Sequence, residues 1–229
     1  MHTDTVQGIR ITFGVEWPVC FASVLDLGRL WERLLRRAGL PLAYSQGYNP
    51  HPRLTFGMAL PVGYTSECEL ADVLLAERLD LEDVRRRVEE QCPPGLRILG
   101  AEELPLGAPS PQSTMREAEY VVRLRGSVPG DTLLEAIRTL LERPRIPRQR
   151  LRKGRQREYD LRPLIHAATC AIGPDGEPLL HLRLACGADG AGRPEEVVQE
   201  LCLGVMYSTI RRVRLVWGAA PRGGEGSAL

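Results

Sequence analysis

The chain reads as an α+β protein built from two tandem ferredoxin-like halves, each ordered βαββαβ, the second elaborated with a basic hairpin. Three observations predict this. Apolar segments with strand character open and close each half, two amphipathic helical segments lie between them, and a Pro- and Ser-rich stretch at 106–117 separates residues 1–105 from 118–218.

In the first half Ile9, Ile11 and Phe13 alternate with Arg10 and Thr12, the period of a half-buried strand. Leu27, Leu30, Trp31, Leu34, Leu35 and Ala38 then recur at helical spacing, with Ser23 and Asp26 as a capping box and Gly39 as the stop. Strands are expected at 53–58 and 69–76, followed by a helix at 81–91 capped by Asp80 and ended by Pro93-Pro94-Gly95. A strand at 96–101 closes the half. The second half repeats the order: a strand at 119–125, a helix capped by Asp131, weaker strands at 148–152 and 159–165, and a clearer one at 179–186. A helix with Pro194 at its first position and a strand at 212–217 complete it. The halves share no visible identity, so duplication is inferred from order alone. Residues 219–229 are expected to be a disordered tail.

At 229 residues and 43% hydrophobic content the chain can bury one large core or two small ones. Its formal net charge of +1 hides a split: residues 1–120 carry about −5, and residues 121–229 about +6. Only Lys153 of the 30 basic residues is lysine, which is read as codon bias. Cys20, Cys68, Cys92, Cys170, Cys186 and Cys202 form no close pair, so neither a zinc site nor an iron–sulfur cluster is expected, and this chain is read as holding no cofactor. There is no early apolar segment and no apolar run of membrane-spanning length. The expectation is a cytoplasmic protein with reduced, buried thiols. Dinucleotide, P-loop and nucleophile-elbow motifs are absent.

The most informative stretch is 43–63, AYSQGYNPHPRLTFGMALPVG. Asn49-Pro50 and His51-Pro52 hold the chain out of helical geometry, so Ser45, Gln46, Tyr48, Asn49, His51 and Arg53 hang polar groups on a stiff loop. Folded over the start of the first helix, this loop would let Ser23, Gln46, Asn49 and Arg53 surround a phosphate or carboxylate. Capping alone also accounts for Ser23 and Asp26. His51 is the one histidine placed for acid–base work, with Asp26, Glu67, Asp72 or Asp160 as conceivable partners, but a lone histidine in a Pro-rich loop more often orders that loop by hydrogen bonding to backbone.

Together with RRAGLP at 36–41, ALPVG at 59–63 and DLRPLI at 160–165, this loop resembles the signature of radical SAM-linked proteins. These are uncharacterised bacterial proteins encoded beside, or fused to, a radical SAM protein. The resemblance implies a radical SAM partner, and it puts any iron–sulfur cluster and S-adenosylmethionine in that partner. Where the family has a histidine after the helix-start serine, this chain has Val24.

The segment from Arg143 to Arg157 packs Arg145, Arg148, Arg150, Arg152, Lys153, Arg155 and Arg157 with Arg143, and no acid, into fifteen positions. Such a block repels itself unless an anion screens it, so it points to phosphates or an acidic partner. By alternation Arg123, Arg125, His181, Arg183, Arg212 and Arg214 face outward, a guanidinium-lined sheet able to track an RNA backbone. Stacking aromatics are missing from these positions, which disfavours base reading, and no DNA partner is expected. An exposed or internally paired arginine face is the alternative. Asp160 and Arg162 share a face, for an ion pair or for one anion-binding arginine.

Function is therefore read as a non-catalytic accessory or substrate-binding module of a radical SAM enzyme acting on RNA. The alternatives are a stand-alone RNA-processing enzyme using His51, and an assembly scaffold.

Overall fold

Ile9, Ile11 and Phe13 are fully buried and meet Trp31, Leu34 and Leu35 of the first helix, with the Phe13 and Trp31 rings 4.8 Å apart. This contact fixes the helical layer on one face of the sheet, as the two apolar periods require. The computed structural model describes residues 5–126, 128–152, 155–187, 190–204 and 206–218. Lys153 and the tail 219–229 lie outside these residues, as do the side chains of Arg152 and Arg155.

The first half comprises β1 (Gln7–Val15), α1 (Val24–Arg37), β2 (Leu54–Phe56), β3 (Thr65–Leu75), α2 (Leu81–Glu89) and β4 (Leu96–Leu104). A short α3 (Pro111–Thr114) leads into β5 (Met115–Arg125), α4 (Gly130–Glu142), β6 (Pro147–Arg152) and β7 (Arg155–Asp160). β8 (Ile165–Ile172), β9 (Pro178–Ala185), α5 (Pro194–Glu200) and β10 (Met206–Trp217) follow. Eight strands form one mostly antiparallel sheet, in the order β4-β1-β3-β10-β5-β9-β8 with β2 paired to β3, and β6 with β7 makes a separate ribbon.

The two halves join through β3 and β10, whose parallel register is only Thr65 to Arg211 and Ser66 to Arg212. β2 makes this possible. Its three residues cover only Ala71 to Val73, leaving the first part of β3 free for a second neighbour. One apolar core lies under β1, β3, β4, α1 and α2, and a second under β5, β9, β10, α4 and α5. Tyr64 and Leu70 cross to the second.

Several sequence expectations are corrected. The segment 159–165 is not a strand: β7 stops at Asp160, Arg162–Leu164 is a 3-10 turn, and β8 begins at Ile165. Met115 is buried and already starts β5, so the linker is shorter than 106–117. Pro129, not Asp131, precedes α4, and Asp131 instead sits in its first turn, where the helix dipole favours an acid. Arg212 does not face outward. A register shift between Arg212 and Arg214 breaks the alternation and turns Arg212 into the core. Cys202 is exposed rather than buried, whereas burial pushes the Cys68 and Cys186 thiols up to about 11.

Candidate nucleic-acid interface and polar loop

The polar loop is a finger. Its stalk is built by Ala43 N–H donating to Leu74 O, Arg53 N–H to Ala43 O, and Ser45 N–H to His51 O, all at 2.8 Å. The Ser45 hydroxyl accepts from His51 N–H at 3.0 Å, so this side chain is spent on holding the finger closed. Residues 46–50 project into solvent and Tyr48 is wholly exposed. Arg53 donates to the Thr5 hydroxyl at 2.7 Å. The His51 ring is exposed, and among the described residues no carboxylate pairs with it.

Ser23 and Asp26 stand elsewhere. The Ser23 hydroxyl caps the helix by accepting from Asp26 N–H at 3.2 Å and donates to Asp26 Oδ2 at 2.7 Å, so the carboxylate returns to the hydroxyl rather than to the Ser23 N–H of a full capping box, and Asp26 also meets Arg29. Gly63 N–H donates to Cys20 O, which ties this helix start to the end of β3 that carries Thr65. The finger hangs from Leu74, at the other end of the same strand. α1 spans about 21 Å between these ends, so among the described residues the loop does not fold over the cap.

Asp160 and Arg162 are structural. Asp160 Oδ1 accepts from Ile146 N–H at 2.8 Å and Arg162 N–H at 3.0 Å, which holds its carboxyl below the usual range. Arg162 donates to the carbonyls of Leu141 and Ile165. Together they clamp the base of the ribbon.

The ribbon's arginines fall into two groups. Those near the base turn onto α5: Arg143 and Arg148 onto Glu200 at 2.7 and 2.8 Å, and Arg150 onto Glu196 at 3.1 Å, with its guanidinium 4.6 Å from the Tyr159 ring. Arg145 meets Glu158 at 3.3 Å. The register sets Arg150 opposite Arg157 and, farther out, Arg152 opposite Arg155. Opposed like charges repel, and Arg157 is exposed with no ion-pair partner among the described residues.

The open sheet face is not a free cationic track. Arg10 forks onto Asp72 at 2.7 and 2.9 Å, Arg183 and His166 share Glu117, Arg211 meets Glu67, Arg214 meets Glu119, and Arg123 is held by Asp175 and Glu177. Carboxylates interleaved on neighbouring strands pair with these side chains, while Arg125 is exposed with no ion-pair partner among the described residues. Trp217 does supply an aromatic at this face, lying 5.5 Å from the Arg10 guanidinium.

Two features were missed by reading the sequence. Arg212 is 1% exposed, donates to both Glu69 oxygens and to the carbonyls of Met58 and Ala59, and thereby fixes the Ala59–Gly63 turn between the halves. Desolvation pulls its pKa down, but Glu69 and Tyr120 push it further up, so it stays charged. At the α1 start, Trp17, Phe21 and Leu25 are 75, 62 and 74% exposed, beside Val24 and Val62.

A family model described as an uncharacterized protein conserved in bacteria (DUF2344) matches residues 8–194. The chain belongs to this family. No curated protein matches this DUF2344 chain. Among solved structures, it resembles a chain of a Cbf5-Nop10-Gar1 complex with a TM-score of 0.50 and 14% identity, over 94% of this chain and 50% of that one. It also matches a chain of an H/ACA RNP bound to a substrate RNA containing 2'-deoxyuridine (TM-score 0.43, 12% identity, 89% and 47% covered). An archaeal box H/ACA sRNP Nop10-Cbf5 complex supplies another match (0.45, 12%, 93% and 48%). The DUF2344 chain spans about half the length of the chains it matches. At such identity the likeness concerns the fold.

Proposed function

We propose that this protein is a non-catalytic accessory module that contacts RNA through the outer half of the β6–β7 ribbon. The observation carrying the reading is the ribbon register, which sets Arg150 opposite Arg157 and Arg152 opposite Arg155, with Glu196 offsetting Arg150 and Arg157 exposed without an ion-pair partner among the described residues. An external polyanion relieves that repulsion, and flexible guanidinium groups suit phosphate. In this reading the two halves are ferredoxin-like units fused edge to edge. The partner is a radical SAM protein, as the sequence resemblance implies, and that partner holds the cluster and S-adenosylmethionine. The exposed apolar residues at the α1 start supply a surface for such a partner, since large exposed apolar groups clustered on one end mark protein contacts. The finger from Ser45 to Arg53 is a second recognition element, acting independently of the ribbon.

The test is titration of a fluorescent single-stranded RNA at several salt concentrations. Wild type is expected to bind with a salt-dependent constant, and Arg157→Ala to weaken binding uniformly and flatten the log–log slope by about 0.7. Absence of RNA binding at low salt, or an unaltered slope in Arg157→Ala, refutes the reading.

A further inference from the structure

Two glutamates of α5 occupy the positions that a polyanion would take. Glu200 bridges two guanidinium groups, accepting from Arg143 Nη1 at 2.7 Å and Arg148 Nη1 at 2.8 Å. Gln199 accepts from the other terminal nitrogen of Arg148. One turn earlier the buried Glu196 accepts from Arg150 Nη2 on both oxygens, at 3.1 and 3.2 Å. Carboxylates at i and i+4 stand side by side on one helix face, about 5–6 Å apart. A nucleic-acid strand offers the same thing, successive anions in a row.

The fit to α5 is incomplete. Arg150 crowds Glu196, the Tyr159 hydroxyl and the Ala191 carbonyl onto Nη2, while its Nε is buried without a partner. A phosphate taken side-on engages Nε and one terminal nitrogen together, so it would satisfy the donor that Glu196 leaves idle. The two sides are also anchored unequally. Val197, Val198 and Leu201 fix α5 in the second core. The ribbon pairs with no strand of the main sheet and is clamped at its base by Asp160. The ribbon is therefore the part able to move.

Resting on the reading of the ribbon as an RNA contact, we infer that Arg143, Arg148 and Arg150 form a cradle for two successive phosphates, which Glu196 and Glu200 close in the free protein. RNA and α5 compete for the same cations. The acidic helix sets a threshold: weak or isolated anions fail to displace it, and a continuous single strand that also reaches Arg157 succeeds.

The test uses the full chain with Glu196→Gln and Glu200→Gln, singly and together, which keep side-chain shape and remove charge. Against fluorescent oligouridylate the double variant is expected to bind about tenfold tighter, one charge-assisted contact's worth, with the salt slope little changed because the strand engages the same arginines in both proteins. Equal or weaker binding by a folded double variant overturns the inference. Should that variant fail to fold, deuterium exchange on wild type decides: added oligouridylate is expected to raise uptake in α5 as the ribbon leaves it, and unchanged uptake overturns the cradle. The two proposals fail separately. Salt-sensitive wild-type binding that depends on Arg157 but ignores the glutamates sinks the cradle alone, whereas loss of any Arg157 dependence sinks the RNA reading itself.

Discussion

Arg212 of β10 and Glu69 of β3 form an ion pair sealed between the two halves, 2.9 Å apart with side chains 1 and 5% exposed. The pair sits at the seam where only two residues of each strand are in parallel register, so it reinforces the weakest joint of the sheet. Ser66 donates its hydroxyl to the same carboxylate at 2.6 Å, and the Arg212 guanidinium lies 5.7 Å from the Tyr120 ring.

Removing one partner leaves the other charged and buried. Arg212→Met is expected to cost about 3–5 kcal/mol, while the double change with Glu69→Met recovers most of it. Urea unfolding with unchanged m-values checks both. A double variant that loses the sum of the two single losses would show that the pair is not coupled.

The ribbon contact should respond to acid. Burial pushes the Glu200 pKa up, but Arg143 and Arg148 more than offset this and leave it below the ordinary glutamate value. A depressed folded pKa gives stability that is fully present above the unfolded value, about 4.3, and is lost as pH falls through the folded pKa. Wild type should therefore exceed Glu200→Gln in urea midpoint at neutral pH, with the gap closing below about pH 4. A gap that persists in acid counts against the assignment.

Within the finger, Ser45 matters for order and His51 does not matter for stability. Ser45→Ala removes the acceptor for His51 N–H and should cost about 1 kcal/mol, seen as faster amide exchange at His51. His51→Ala keeps the backbone bonds and should stay within about 0.5 kcal/mol of wild type in thermal unfolding. The reverse ranking would return the His51 ring to a central role.

Tyr64 ties the turn before β3 to α5 by donating to Glu195, and burial with this carboxylate holds its pKa above the usual tyrosine value. Tyr64→Phe should cost about 1 kcal/mol. In a cycle with Glu195→Gln, coupling of at least about 0.5 kcal/mol is expected, and strict additivity argues against the tie.

The Ser23 cap, Asp80 at the start of α2, the first-half strands and the first strand of the ribbon were legible, because each is specified by residues close in sequence. β8 was not. His166, Ala167 and Thr169 carry little alternation, and the strand exists through its pairing with β9.

Sequence alone determined the element order of the first half, the polar finger and the block of arginines, for caps, prolines and apolar periods act over a few residues. Tertiary structure decided which charges remain available. It set the finger and the helix cap at opposite ends of β3, turned Arg212 inward at a register shift, and gave Arg143, Arg148 and Arg150 their glutamates. Charge pairing depends on distances between segments far apart along the chain, and these are fixed only once the sheet and its helices have packed.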